Sequence, residues 1–230
     1  MKKLFLLSLF ISYHIHVFSQ DWSIEYSFGY GTYQLDDVKT FQNSLQQYMS
    51  QYGAKTTENF PAWFTHSGAI GYIVNRSHFG INLSYLTTGA RTGVTDYSGS
   101  YYANTSMNGY RLGTFYRYYI NTGLSVLKLY FQASPGIIFS EMKMTESIHI
   151  TTESDNYTEK MKSTAAYFEP IIGVKYHITN LMSVSISGGY ETDFGGKLKN
   201  SVGGQSYLKV RWNGLRVYAG IELTIPSSRL

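Results

Sequence analysis

The sequence has no cysteine in its 230 residues and only four prolines. The first absence excludes disulfides, thiolate metal sites and the lipid-accepting cysteine of a bacterial lipoprotein. Charge is also scarce: Asp, Glu, Lys and Arg make up 15% of the chain, and the formal net charge is only +4. No basic run exceeds two residues, so no nucleic-acid partner is expected. Long hydrophobic runs are missing too. The apolar stretch at residues 4–11 falls far short of the ~20 residues that a spanning helix needs. What the chain has in abundance is Tyr and Gly, 22 of each, with aromatics at 17%. A helical membrane protein would be far more apolar. A transmembrane barrel looks polar on average because half of each strand faces a lumen, while Tyr and Trp gather at the two interfaces.

Lys2 and Lys3 precede the apolar residues 4–11, and a mixed stretch follows to Gln20. This is the order of a secretory signal peptide. The expected division is a signal peptide over residues 1–20, cut after Ser19 or Gln20, and one outer-membrane barrel domain over residues 21–230. The mature length suits eight crossing strands with loops.

Alternation is the strongest pattern. Leu215, Val217, Ala219, Ile221, Leu223 and Ile225 are apolar, while Arg216, Tyr218, Gly220, Glu222 and Thr224 lie between them. The same period of two recurs in seven earlier segments: near residues 22–33, 62–74, 79–85, 110–120, 127–134, 167–178 and 182–193. Segments of roughly 10 residues match a tilted bilayer crossing. Short turns at Asn75, Thr122 and Asn180 alternate with long excursions over residues 34–61, 88–108, 142–163 and 194–204. In lipid every backbone donor and acceptor must be paired within the protein, so such strands have to close on themselves. The expected fold is all-β: an eight-stranded antiparallel up-and-down transmembrane β-barrel with long extracellular loops and a short helix in the first loop. Its place is the outer membrane of a Gram-negative bacterium.

The register sorts the charges. Arg111, Arg117, Lys128, Lys175 and Arg216 fall inward with Glu25, Glu169, Glu191, Asp193 and Glu222, five of each sign. An eight-stranded barrel is narrow enough for side chains to fill it, so these ten are expected to form an interior charge network that plugs the lumen. The rival is a polar ion pathway. Pro135 and Pro170 fall within strands, where a closed barrel has no free edge for them; a bulge or the start of a protruding hairpin is expected there. The apolar phase is even at Leu208, Val210 and Trp212 but odd from Leu215, which reads as a bulge at Asn213-Gly214. Val38, Phe41, Leu45, Tyr48 and Tyr52 recur at helical spacing, with Asp36 and Asp37 at the N-cap and Gly53 at the C-cap. This predicts an amphipathic helix outside the membrane, packed over the barrel mouth or touching a partner or lipid.

Residues with catalytic chemistry are few. His177-Ile178-Thr179-Asn180 followed by Glu191 looks like the His-x-Ser-Asn arrangement of outer-membrane lipid A deacylases, with Thr in place of the nucleophilic Ser and in a periplasmic turn. His66, His78 and His149 lack a ligand-type residue at metal spacing. No catalytic residue, metal or cofactor is expected.

The signal peptide, the alternating segments, the last-strand sequence over residues 212–223 and the absence of Cys resemble the small outer-membrane β-barrel proteins common in Bacteroidetes, akin to barrels of the OmpA, OmpX and OmpW type. The chain departs from that family by ending on residues 225–230, Ile-Pro-Ser-Ser-Arg-Leu, without a terminal aromatic residue. The resemblance implies a noncatalytic barrel acting through its loops in adhesion, in envelope integrity or as an accessory subunit. The alternatives are a narrow channel for small or apolar solutes and a lipid A-modifying enzyme. The implied partners are outer-membrane lipid, the barrel-assembly machinery during insertion and a protein at the extracellular loops.

Overall fold

The computed structural model describes residues 20–97, 99–150, 153–200 and 204–226; apart from Gln20, the expected signal peptide lies outside the described residues, as do the last four residues. In chain order the elements are β1 (Gln20–Gly31), α1 (Asp36–Ser50), β2 (Lys55–Asn59), β3 (Trp63–Val74), β4 (Ser77–Asp96), β5 (Gly99–Ile120), β6 (Leu127–Ile150), β7 (Glu153–His177), β8 (Met182–Asp193), β9 (Gly196–Asn200), β10 (Gln205–Val210) and β11 (Gly214–Pro226). Eight of them form an antiparallel ring, β1-β3-β4-β5-β6-β7-β8-β11, closed by eleven rungs between β11 and β1.

The period of two in the sequence is the period of the wall. Along β1, Trp22, Ile24, Tyr26, Phe28 and Tyr30 are exposed on the outer face, while Ser23, Glu25 and Ser27 are buried. Apolar residues thus coat the outside of the ring, and aromatic residues cluster at its outer rim, where Tyr85 stands across from Tyr110, and Tyr110 from Phe139. This inside-out distribution is stable only with lipid around the barrel.

Two of the long excursions, over residues 88–108 and 142–163, are mostly strand rather than loop. β4 and β5 pair without interruption as far as Asp96 and Gly99, and β6 and β7 as far as Ile150 and Glu153. Two hairpins therefore carry the barrel wall well beyond the membrane, β2 adds to the edge of β4, and β9 with β10 adds to β7.

None of the irregular positions is a bulge, and of the two outcomes expected at the prolines it is the protruding hairpin that the strands form. At Pro135 two rungs to β5 are missing, yet Gly113↔Gly136 and Tyr116↔Ala133 keep one register on either side of the gap. At Pro170 two rungs to β8 are missing, again without a shift. Each proline deletes local pairing where its absent N–H would have pointed, and the strands run on into the hairpin beyond. Asn213-Gly214 is not a bulge either. The chain leaves β10 at Val210 and re-enters the ring at Gly214, and Leu208, Val210 and Trp212 face an apolar interior rather than lipid. The phase inverts because the apolar environment changes sides.

Candidate functional site: a charged lumen beneath a closed outer mouth

Two clusters of buried charge cross the lumen. In the cluster nearer the outside, the Arg111 guanidinium donates to Glu169 Oε2 at 2.8 Å, to Glu191 and to Ser84 Oγ at 3.0 Å. Arg216 joins it through Glu191 at 2.7 Å, and the Tyr218 hydroxyl donates to Glu169 Oε1 at 2.7 Å. The cluster nearer the periplasm holds Arg117 against Glu25 at 2.9 Å and Glu222 at 3.3 Å, with the Lys175 ammonium 2.5 Å from the same Glu222. Gln132 Oε1 accepts from Arg117 Nε at 2.7 Å. Each cluster pairs two cations with two carboxylates and is neutral by itself. Burial of such groups is tolerable only when they are paired, and every charge on both levels has an opposite charge within 4 Å; Arg111 Nε, Arg216 Nη1, Glu191 Oε1 and Glu25 Oε2 are nonetheless buried without a hydrogen-bond partner.

Of the ten charges placed inside by register, eight belong to these clusters. Lys128 stands half-buried at the periplasmic rim beside Asn75 and Arg76, with its ammonium 5.6 Å from the Tyr119 ring centre. Asp193 is buried but serves the chain above it: its carboxylate accepts the N–H of Gly195 at 2.8 Å and of Trp212 at 3.1 Å, which fixes both ends of the β9–β10 hairpin. His78 joins the lower cluster, its ring bonded to Ser23 Oγ at 2.7 Å and to the Tyr119 hydroxyl at 3.2 Å. Its inward position was readable from the exposure of Phe79 and Ile81 on the same strand. Between the two clusters lies a cavity of about 40 Å³ lined by Glu25, Ser27, Arg111, Arg117 and Tyr130, room for a few waters.

Above the charges an apolar core closes the mouth. Trp212 is fully buried at its centre, edge-on to Tyr33 at 5.1 Å, with its indole N–H donating to Ser140 Oγ at 2.9 Å. Leu86, Met107, Ile138 and Met142, inward-facing residues of the extended hairpins, pack around it, and Leu198 closes it from β9. α1 lies on top. Val38 and Gln42 are its buried residues, and Gln42 Nε2 donates to Thr92 Oγ1 at 2.7 Å. Tyr48 and Tyr52, expected on the packed face, stay exposed: the fully buried residues of the helix lie in its first two turns, and Tyr52 falls beyond the helix end. The N-cap is Leu35, in the left-handed region at φ 45° and without a side-chain cap, while Asp36 and Asp37 occupy the first turn. Gly53, at φ 81°, lies beyond the helix end and makes the turn into β2.

The residues that resemble a lipid A deacylase site do not meet. His177 Nδ1 is bonded to Ser183 Oγ at 2.7 Å, and Thr179 Oγ1 accepts the N–H groups of Leu181 and Met182 within a tight turn. Glu191 stands eight residues up β8 from Ser183, about 26 Å along the strand, inside the upper charge cluster.

No protein-family model matches the chain, and no curated protein matches it. Among solved structures it is similar to the outer membrane protein OprG from Pseudomonas aeruginosa, at 13% identity over 91% of this chain and 98% of that one, with a TM-score of 0.50. The fold is that of an outer-membrane β-barrel. Neisserial surface protein A also matches, at 13% identity over 88% of this chain and 96% of the other with a TM-score of 0.48, and so does Ail, the attachment invasion locus protein of Yersinia pestis, at 13% identity over 90% of this chain and 99% of the other with a TM-score of 0.41. With its apolar belt turned to lipid, the barrel belongs in the outer membrane of a Gram-negative bacterium.

Proposed function

We propose that this chain is a noncatalytic barrel that acts through the surface it presents outside the membrane, in adhesion, in envelope integrity or as an accessory subunit of a larger outer-membrane complex. The observation that carries this reading is the double closure of the lumen: two neutral charge clusters span it, and an apolar core centred on Trp212 seals its mouth. What remains free to act is the outer sheet formed by the extended β4–β5 and β6–β7 hairpins. A protein partner would meet that sheet, outer-membrane lipid would meet the belt, and the barrel-assembly machinery would act during insertion. The resemblance noted in the sequence supports an origin among the small barrels common in Bacteroidetes.

The test is single-channel conductance of the refolded protein in planar bilayers, beside a heat-modifiability gel that reports barrel formation. A folded barrel without opening events is the expected result. Steady openings would replace this reading with a narrow channel, and a mass change in lipid A incubated with the protein would replace it with a lipid-modifying enzyme.

A further inference from the structure

Seven cations face outward just above the lipid belt on one side of the barrel. Lys143 stands directly across from Lys160, Lys162 from Lys199, and Lys197 from Lys209, and Arg211 follows β10. Directly opposed residues on neighbouring strands have Cβ atoms only about 4.5–5.5 Å apart, and like charges there destabilise the sheet. Three such pairs on adjoining strands therefore call for a counter-charge from outside the chain. Among the described residues, the acids bonded to this surface are Glu141, 3.8 Å from Lys162, and Asp37, which accepts the backbone N–H of Lys209. Lys162 remains 75% exposed. A groove of about 750 Å³ runs between Lys160, Lys162, Lys197 and Lys199.

The height of these cations selects the ligand. The outward row of β7 climbs from Ile172 through Pro170, Phe168, Ala166 and Thr164 to Lys162 and Lys160, and Phe139, paired with Thr164, is the last apolar residue beside it. Lys162 is one outward step of about 7 Å along the strand above that rung. This is the depth of the headgroup layer, about 5–7 Å thick. Below the collar, Ala133, Pro170 and Gly188 thin the lipid-facing wall and leave an apolar groove of about 740 Å³ between Phe131 and Tyr190. A soluble polyanion would engage the lysines but has no use for that groove. That groove opens at Pro170, eight residues or about 26 Å along β7 from Lys162, so a membrane lipid with phosphates on its headgroup meets the collar while an acyl chain runs down the wall toward it.

We propose that the lysine collar and the groove beneath it bind a phosphorylated glycolipid of the outer leaflet, with its phosphates among Lys160, Lys162, Lys197 and Lys199 and an acyl chain along the wall. The inference goes beyond the noncatalytic reading and stands or falls apart from it, since it concerns the outside of the barrel whether or not the lumen conducts. The test is native mass spectrometry of the folded chain in neutral detergent, titrated with bisphosphorylated lipid A, with fully dephosphorylated lipid A and with heparin. Saturable binding of the bisphosphorylated lipid is expected. It should weaken at least about 100-fold in the triple variant K162E/K197E/K199E, from roughly a factor of five for each cation removed. In the unaltered protein it should also weaken as NaCl rises from about 0.05 to about 0.5 M, a readout that needs no variant to fold. Equal binding of the dephosphorylated lipid, or affinity insensitive to both salt and charge reversal, would overturn the proposal. Heparin binding without lipid A binding would overturn it too and assign the collar to a soluble polyanion.

Discussion

Arg216 lies between Glu191 at 2.7 Å and the carbonyl of Trp212 at 3.0 Å, with Glu169 at 3.9 Å. Its guanidinium thus joins the charge cluster to the segment that closes the mouth. Arg216→Glu would put three carboxylates in one buried site and leave the Trp212 carbonyl without its donor. Removing one partner of a buried pair costs about 3–5 kcal/mol, and adding a like charge raises that figure. The expected outcome is a sharp fall in the fraction of protein that shows the folded, heat-modifiable band on a gel; an unchanged fraction would show that this interior does not depend on the pairing. Outside the membrane, burial and then the neighbouring Glu146 push the Tyr101 hydroxyl above its ordinary value. It therefore stays protonated on the outer sheet at neutral pH.

The elements differ in how plainly the sequence announced them. β8 runs from Met182 to Asp193 as read, because its outer row is apolar and its inner row is Ser, Gly, Glu and Asp. The upper halves of β4 to β7 were invisible because much of their buried row is Thr and Ala rather than long apolar side chains: in stretches such as Thr-Gly-Ala-Arg-Thr-Gly and Tyr-Tyr-Ala-Asn-Thr-Ser, Thr88, Ala90, Thr92, Ala103 and Thr105 are buried yet carry little contrast with the residues between them. Leu208, Val210 and Trp212 carried contrast, but of the opposite phase, since their apolar partner is the core of the mouth. The interior pairs were legible as a balance of signs, whereas which cation meets which carboxylate depends on strand stagger that only the structure supplies. The β9–β10 hairpin is held down chiefly by this core and by Asp193. Trp212→Ala should cost about 3–5 kcal/mol of local stability. Amide exchange should then speed up across Gly196–Asn200 and Gln205–Val210 while β1 and the lower part of β8 keep their protection. Uniform loss of protection would mean that the mouth and the barrel unfold as one unit.

Across the whole molecule the two closures stand in series, so removing one should not open the other. The paired change Glu25→Gln with Arg117→Gln keeps the lower cluster neutral while weakening its bridge. Bilayers holding this variant should remain without current because the Trp212 core still covers the mouth; steady current would show that the charges alone block the path. The span of these bridges along the chain has a further consequence for assembly. Arg117 and Glu222 are 105 residues apart, and Arg111 and Glu191 are 80 apart. A nascent sheet that has not yet received β11 would carry Arg117 and Lys175 without Glu222, and Glu191 without Arg216, in a setting that punishes bare charge. Neutrality arrives only with the final seam between β1 and β11. Partly zipped intermediates are therefore penalised, and the ring is driven to close in a late, concerted step, in which β11 completes the electrostatic balance of the other strands.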